Sequence, residues 1–193
     1  MKQPSTTVRP AEPADAVAVN AIYSPIVRDT AISFEVDAPS KQVMAGRIES
    51  TLVRYPWLVA ERQGDLIGYA YAGEHRQRAA YRWSVDVTAY VAETARGSGV
   101  GRGLYTLLVE ILRAQGFRAA FAGITLPNAA SVALHESVGF EPFAVYREVG
   151  FKLGIWRDVG WWRLGLSKTP GSPAEPAPFA AYRETPAFKL LIG

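Results

Sequence analysis

The sequence predicts one α/β domain in which helices pack on a β-sheet. Segments with the apolar pattern of strands alternate with segments of helical periodicity, and this order is typical of such a fold. The chain has 193 residues, of which 49% are apolar and 20% are charged, so it is long and apolar enough for one substantial core. A glycine-rich loop also joins a predicted strand to an amphipathic helix.

The first quarter of the chain predicts one short strand and two helices. Residues 6–9 have the pattern of a strand, and residues 13–28 that of a helix with a proline at its start. Pro25 predicts a kink in this helix or an early end. Residues 32–36 are expected to be extended or a loop, and residues 40–54 form a second predicted helix with one apolar side.

The middle of the chain predicts three strands. Apolar runs at residues 57–62 and 66–73 flank the turn Gln63-Gly64-Asp65, which is a signature of a β-hairpin. Residues 81–91 alternate well enough to predict a third, longer strand.

Helices and strands alternate in the next part of the chain. Apolar residues at helical spacing predict a helix over residues 102–115, with Gly116 as its C-terminal cap. Residues 119–126 are a predicted buried strand, and Asn128 caps a short helix that runs to about residue 138. Two last strands are predicted at residues 143–151 and 160–166.

A change of composition divides the chain into a domain of residues 1–168 and a C-terminal extension of residues 169–193. Residues 169–178 contain four prolines, one glycine and one serine, which is typical of a linker. Residues 179–193 are less polar, and we expect them to dock on the domain, to dock on a partner, or to be disordered.

The composition excludes several classes of function. Lys and Arg number 21 against 18 Asp and Glu, and a net charge of +3 is too small to indicate a nucleic-acid partner. The absence of cysteine excludes thiolate metal sites and a cysteine nucleophile, and two distant histidines, His75 and His135, give no reason to expect a metal. No apolar run reaches the roughly 18 residues that cross a membrane. The N-terminus lacks the apolar core of a signal peptide, so we expect a cytoplasmic protein with no membrane partner.

The glycine-rich loop is the strongest functional signal in the sequence. Its glycines let the backbone bend sharply and lie against a ligand, and the amides of the loop and the first helical turn would point together at an anion such as pyrophosphate. The loop alone also fits a simple tight turn. It lacks the Gly-Lys-Ser/Thr of a nucleotide-binding loop and the acidic residue that a dinucleotide site requires further on. The residues concerned are Arg96, Gly97, Ser98, Gly99, Val100, Gly101 and Arg102.

The order of arginine and glycines in this loop resembles the acetyl-coenzyme A loop of the GNAT superfamily of N-acetyltransferases. Further stretches, in fixed order, resemble one branch of that superfamily, the phosphinothricin and methionine sulfone N-acetyltransferases. The resemblance covers roughly residues 6–167 and leaves out the C-terminal extension. The stretches are residues 54–61 (RYPWLVAE), 68–73 (GYAYAG), 126–128 (LPN), 134–140 (LHESVGF), 149–152 (VGFK) and 156–162 (WRDVGWW).

The resemblance implies a GNAT fold, which is a mixed central sheet with splayed parallel strands and helices on both faces. The implied co-substrate, acetyl-coenzyme A (acetyl-CoA), enters the gap between strands that would end near Val91 and Leu126. Backbone groups of residues 90–93 would then be unpaired and available to the pantetheine arm. No metal is implied. The residues expected to hold acetyl-CoA are Val91, Glu93, the loop residues 96–102, Asn128 and Ser131.

Two residues carry the implied catalytic roles. Asp86 stands where the family has a glutamate that accepts the proton of the amine, and its shorter side chain favours a relaying water. Alternatively, Asp86 is a structural carboxylate bonded to backbone or to an arginine. His135 matches a histidine that lines the active site in this branch and would serve as an acid, a base or a binding group. Without the resemblance, a single helix histidine is more simply a structural residue.

The implied substrate site combines cations with hydroxyl and apolar groups. Phosphinate, sulfone and carboxylate groups need such partners, and arginine binds them through two hydrogen bonds, although the arginines also fit a solvated loop. Arg76 replaces a family lysine, which keeps the charge and changes the geometry. Thr88 and Tyr90 share one face of their strand with Asp86, whereas the tryptophans at 156, 161 and 162 are expected in core and interface. The implied substrate residues are Phe34, Arg76, Arg78, Tyr81, Thr88, Tyr90, Tyr105 and Val159.

The sequence therefore predicts an enzyme that transfers acetyl from acetyl-CoA to the primary amine of a small amino-acid analogue, such as phosphinothricin, methionine sulfone or methionine sulfoximine. Direct attack without a covalent acyl-enzyme is expected, and the resemblance implies a homodimer. Two alternatives stay open at this point. One is the same chemistry on another amine, such as a peptide N-terminus or a polyamine. The other is a coenzyme-A-binding module without catalysis, since Asp86 departs from the family pattern.

Overall fold

One mixed sheet is the frame of the molecule, and its strands are β1 (Thr7–Pro10), β2 (Trp57–Arg62), β3 (Asp65–Glu74), β4 (Ser84–Val91), β5 (Ala119–Leu126), β6 (Glu141–Lys152) and β7 (Ile155–Gly165). The computed structural model describes residues 5–167 and 171–192. Within these residues the strands lie in the order β1-β2-β3-β4-β5-β7-β6, and only β4 and β5 are parallel neighbours. The predicted fold class is confirmed.

The parallel pair separates after a short stretch. Residues 84–86 pair with residues 119–121, and beyond them β4 stays bonded to β3 alone and β5 to β7 alone. This confirms the predicted splay.

The backbone of β4 alternates between two edges. The Ala92 N–H donates to Ile67 O at 2.9 Å, so pairing with β3 continues past the end of β4 and the prediction that residues 90–93 all lack partners is wrong. Because successive residues turn their backbone groups to opposite edges of a strand, the groups of Ala89 and Val91 face the gap, whereas the Val87 N–H still belongs to the short parallel ladder with β5.

Helices cover both faces of the sheet, namely α1 (Ala16–Asp29), α2 (Lys41–Arg54), α3 (Val100–Gln115), α4 (Ala129–Ser137), α5 (Phe179–Tyr182) and α6 (Pro186–Ile192). The ring of Tyr23 in α1 lies 5.1 Å from that of Tyr90, which places α1 on the face that carries Tyr90. On the other face, a Cβ at Gly68 would lie 3.2 Å from Val100 Cγ1, so this glycine lets α3 approach the sheet closely. No helix within the described residues is long and apolar enough to cross a membrane.

Three predicted boundaries differ from the structure. Pro25 lies inside α1, which continues to Asp29 because buried residues on both sides of the proline hold it against the sheet, so the predicted early end is wrong. The strand predicted from residue 81 begins at Ser84, since residues 79–81 form a 3-10 turn. The last two strands are longer than predicted and form a continuous hairpin that turns at Leu153 and Gly154, both with positive φ.

The C-terminal residues pack onto the domain. Phe179 is fully buried, and its ring lies 5.5 Å from that of Phe188, which is 2% exposed. The Gln115 side-chain amide donates to Ala177 O at 2.7 Å and to Arg54 O at 3.2 Å, so it ties this segment to the ends of α3 and α2. Docking on the domain is thus the outcome that the structure favours among the three expected. The predicted boundary between residues 168 and 169 lies outside the described residues and stays a prediction.

Candidate active site

Two adjoining cavities open where β4 and β5 separate. The larger has a volume of about 440 Å³ and the smaller about 80 Å³. They share Ile32, Tyr90, Gly123 and Thr125 in their walls. Because the two strands no longer bond to each other here, the cavities together form a passage through the sheet.

The smaller cavity joins the two faces of the sheet. Residues 87–90 of β4 line it, among them Thr88 and Tyr90, whereas Tyr105 comes from α3 and His135 from α4. Asn128 and Ser131 also line it, and the Ser131 N–H donates to Asn128 Oδ1 at 3.1 Å, which confirms the predicted cap of α4.

Tyr105 and His135 form a buried hydrogen bond, and its donor and acceptor can be assigned. His135 Nδ1 lies 2.7 Å from Ser131 O, and a carbonyl oxygen only accepts, so Nδ1 carries the proton. Nε2 then accepts from the Tyr105 hydroxyl, 2.8 Å away. Burial lowers the pKa of His135 and raises the pKa of Tyr105 well above its ordinary value. At neutral pH both groups are therefore uncharged, and both line the smaller cavity.

The larger cavity has an aromatic wall. Phe34 and Val159, both predicted, line it, and Gly123 lies under the indole of Trp161, since a Cβ at Gly123 would be 3.3 Å from Trp161 Cη2. A Cβ at Gly150 would overlap the ring of Phe34, so the ring packs flat on this glycine. The wall is completed by Tyr23, Ser33, Tyr71, Tyr146 and Val149.

The loop that carries Phe34 is anchored by buried polar contacts. Lys152 is 7% exposed, and its Nζ donates to Val27 O and Ser33 O, both at 2.6 Å. The Tyr23 hydroxyl and Ser33 Oγ are 2.7 Å apart. These contacts hold one wall of the cavity in place.

Asp86 is bonded to a histidine that the sequence did not single out. Its Oδ1 lies 2.6 Å from His75 Nδ1, and no hydrogen bond joins the Asp86 side chain to backbone or to an arginine, the two structural alternatives expected, within the described part of the chain. Burial raises the pKa of Asp86, whereas the hydrogen bond from His75 acts to lower it. Asp86 lies at the last paired position before the strands separate and does not line either cavity.

The glycine-rich loop presents unpaired amides. Gly97 and Gly99 have φ values of 72° and 84°, in the left-handed region that favours glycine. Gly99 is the N-cap of α3 and provides no side-chain cap, and the first helical bond runs from the Gly103 N–H to Gly99 O at 2.9 Å. The amides of residues 100–102 therefore have no partner within the helix and suit an anion.

The remaining predicted residues lie around the two cavities rather than in their walls. Arg76, Arg78 and Tyr81 belong to the connection between β3 and β4, where the Arg76 guanidinium lies 5.7 Å from the centre of the Trp161 ring. Val91 and Glu93 lie at the opposite end of β4, next to the loop of residues 96–102. The cavity walls thus bring together Phe34, Thr88, Tyr90, Tyr105, Asn128, Ser131, His135 and Val159.

Several residues at the site were missed in the sequence. Trp161 lines the larger cavity instead of the core, while Trp162 is buried and Trp156 is exposed. Tyr71 pairs with Thr88 across β3 and β4, so the strand register was the signal that could have found it. Among the described residues, no cluster of histidine, aspartate or glutamate could hold a metal ion.

Comparison with known proteins identifies the family. The model of the acetyltransferase (GNAT) domain matches residues 8–161. The chain is 39% identical to the phosphinothricin N-acetyltransferase of Streptomyces viridochromogenes over 171 residues, 89% of this chain and 91% of that protein. It is 36% identical over 165 residues to the L-methionine sulfoximine/L-methionine sulfone acetyltransferase of Salmonella typhimurium, 84% of this chain and 95% of that protein.

A solved structure with the same fold has its ligand in place. The phosphinothricin acetyltransferase of Sinorhizobium meliloti, crystallised in complex with acetyl-CoA, superposes with a TM-score of 0.84 at 36% identity, over 88% of this chain and 94% of that one. The family model covers most of the chain, and the strand separation is the feature of the fold that the resemblance implied. This chain belongs to the GNAT acetyltransferase family.

Proposed function

We propose that this enzyme acetylates the primary amine of a small amino-acid analogue, such as phosphinothricin, methionine sulfone or methionine sulfoximine, with acetyl-CoA as donor. The observation that carries the proposal is the passage through the sheet, which runs from the α3 side to an aromatic cavity of about 440 Å³ beside an arginine-bearing loop. That volume suits an amino acid and is small for a folded protein substrate.

The residues around the gap fit acetyl-CoA. The free amides of residues 100–102 and the side chains of Arg96 and Arg102 suit its diphosphate. The backbone groups of Val91 suit the amides of a pantetheine arm, and Asn128 and Ser131 line the smaller cavity further along. When bound, acetyl-CoA supplies an acyl group activated as a thioester.

The larger cavity fits the acceptor. Its aromatic wall suits the aliphatic side chain of such an acceptor. The Tyr23 hydroxyl is neutral, because burial raises the pKa of Tyr23 to about 12, and it donates its proton to Glu35 Oε1 at 2.9 Å. Arg76 and Arg78 lie in the neighbouring connection and suit the anionic groups of the acceptor. A polyamine would meet these cations unfavourably, which favours the amino-acid analogue.

The chain's own polar groups then have separate tasks. Asp86 belongs to the system that takes the proton from the acceptor ammonium. Tyr105, kept neutral by burial, presents a hydroxyl at the smaller cavity, and His135 fixes the position of that hydroxyl. Because the Tyr105 proton is donated to His135, we propose that this hydroxyl accepts a hydrogen bond from the pantetheine amide at the sulfur end of the donor.

The homodimer that the resemblance implies has a candidate surface. Apolar residues on the β6–β7 hairpin are more than half exposed at the edge of the sheet, among them Phe143, Phe151 and Trp156. The same strand β6 contributes Tyr146 and Val149 to the larger cavity, so a second copy on this surface would cover the acceptor. Light scattering of the wild type and of Trp156→Glu tests whether this surface forms the dimer, and a monomeric wild type would contradict the proposed dimer.

A cytoplasmic location stays a prediction.

The experiment is a thiol-release assay. Purified protein and acetyl-CoA are mixed with phosphinothricin, methionine sulfone, a polyamine or a peptide, and free thiol is followed with time. We expect turnover with the first two amines and little with the others. Turnover confined to the polyamine or the peptide would contradict the proposed acceptor, and coenzyme binding without any turnover would support the non-catalytic alternative.

A further inference from the structure

His75 and Asp86 form a hydrogen-bonded pair at the point where the sheet opens. His75 Nδ1 lies 2.6 Å from Asp86 Oδ1, and the side chains are 12% and 36% exposed. An ionised carboxylate only accepts, so the short bond requires the proton on Nδ1. The other ring nitrogen, Nε2, then carries a lone pair, and no described residue forms a hydrogen bond to it.

The imidazole ring of His75 is held by ring stacking as well as by the hydrogen bond at Nδ1. It stacks on Phe121 with the ring centres 4.3 Å apart and 15° between the planes. Phe121 is the β5 partner of Asp86 in the last parallel pair, so both contacts come from the same rung of the sheet. The edge of the ring meets Trp161, 6.3 Å away between centres, and Trp161 lines the larger cavity. The ring therefore contacts both Asp86 and the Trp161 wall, while His75 itself lines neither cavity, so a water can bridge from Nε2 to the acceptor.

We propose that His75, with Asp86 as its partner, is the proton acceptor of the reaction. The inference rests on the proposed function, since it needs an amine in the larger cavity. Asp86 fixes the tautomer and stabilises the imidazolium, and Nε2 takes the proton, directly or through one water. The ordinary pKa of a histidine lies near neutral pH, whereas that of an aspartate lies well below it, so the histidine is the better base at neutral pH.

The protons balance as follows. The acceptor enters as an ammonium ion and loses one proton to His75 Nε2, which passes it to solvent. The amine nitrogen bonds to the acyl carbon while the carbon–sulfur bond breaks. The second amine proton leaves the nitrogen and ends on the thiolate, which is released as a thiol. The products are the amide, the thiol and one proton.

Few charged groups face the pair. Arg76, in the same connection as His75, acts to lower the pKa of Asp86. From the neighbouring turn, the Tyr81 ring lies 6.0 Å from that of His75, and from β3 Tyr71 is close enough for Asp86 to act on its pKa. The groups that β5 and β7 present, Phe121 and Trp161, do not ionise.

The test separates a base from a merely orienting residue. His75→Asn keeps an N–H donor at the Nδ1 position and loses the titrating ring, so an orienting role predicts nearly normal turnover. Our proposal predicts a fall in kcat of about 100-fold, the loss of the near-neutral acid limb of the kcat/KM profile, and unchanged coenzyme A affinity by calorimetry. Normal turnover and an unchanged pH profile for His75→Asn would overturn the proposal.

A second readout does not depend on turnover. The chain has 2 histidines, so the imidazole Cε1–H signals of His75 and His135 are resolved by NMR, and the His75→Asn spectrum assigns them. We expect Asp86→Asn to shift the ring signals of His75, because it removes the carboxylate that is hydrogen-bonded to Nδ1, and to leave the signal of His135 unchanged. Ring signals of His75 that are the same in wild type and Asp86→Asn would overturn the pairing. If wild type fails to acetylate any tested amine, the proposed acceptor is wrong, and this NMR comparison alone decides for or against the pair.

Discussion

Gly99→Ala tests whether the loop before α3 is a preformed anion site. Gly99 has a φ of 84°, which costs an alanine about 1–2 kcal/mol. A Cβ there would have no atom within 4 Å, so the free loop has room to relax. Binding the diphosphate must restore the strained conformation. We therefore expect most of the conformational cost of the alanine to weaken the binding of acetyl-CoA, as a roughly 5- to 30-fold rise in its Kd.

Gly103→Ala is the matched control for this prediction. Gly103 lies one turn further along the same helix, and a Cβ there would also meet no atom within 4 Å, but its φ is not positive. We expect this variant to gain about 0.5–1 kcal/mol of unfolding free energy and to keep the wild-type Kd. Titration calorimetry with acetyl-CoA and thermal unfolding measure both quantities. Equal Kd values for the two variants would refute the assignment of the loop.

Three further predictions concern the extension, the acceptor cavity and the buried pair. Phe179→Ala should lose about 3–5 kcal/mol of unfolding free energy, measured in urea. Leu190→Ala, at an 85% exposed position, should change the unfolding free energy by less than about 0.5 kcal/mol. Equal effects of the two substitutions would contradict the docking of the extension. Gly150→Ala displaces the ring of Phe34 and should raise the KM of the amine about tenfold without changing the Kd for acetyl-CoA, and an unchanged KM would count against that wall. Tyr105→Phe removes one hydroxyl contact and should lower kcat about tenfold in the thiol-release assay, so a normal kcat would exclude the hydroxyl from the reaction.

Local patterns account for what the sequence could predict. The loop at residues 96–101 and the cap at Asn128 depend on neighbours within one turn, so their conformations follow from residue types. Thr88 and Tyr90 line the smaller cavity, but Val87 and Ala89 do so as well, and the alternation along β4 therefore does not single them out. The splay came from the resemblance, since nothing local distinguishes residues 87–91 from an ordinary strand.

Long-range packing accounts for what was missed. The contact between His75 and Asp86 depends on the course of the β3–β4 connection, and Trp161 enters the cavity only because Gly123 beneath it has no side chain. Pro25 was expected to kink its helix or end it early, but the helix continues to Asp29 because tertiary packing outweighs one lost backbone bond. The strands β6 and β7 were predicted to be too short because many of their residues are exposed and do not follow the usual apolar alternation.

The separation of β4 from β5 also divides the backbone amides of β4 into two classes that should differ in their rate of hydrogen exchange. Those of Thr88 and Tyr90 are bonded to β3, while those of Ala89 and Val91 face the gap. Hydrogen–deuterium exchange over residues 88–91 should therefore alternate residue by residue between slow and fast. A molecule that fills the gap should slow the amides of Ala89 and Val91 alone, so the strand reports its own occupancy at single-residue resolution.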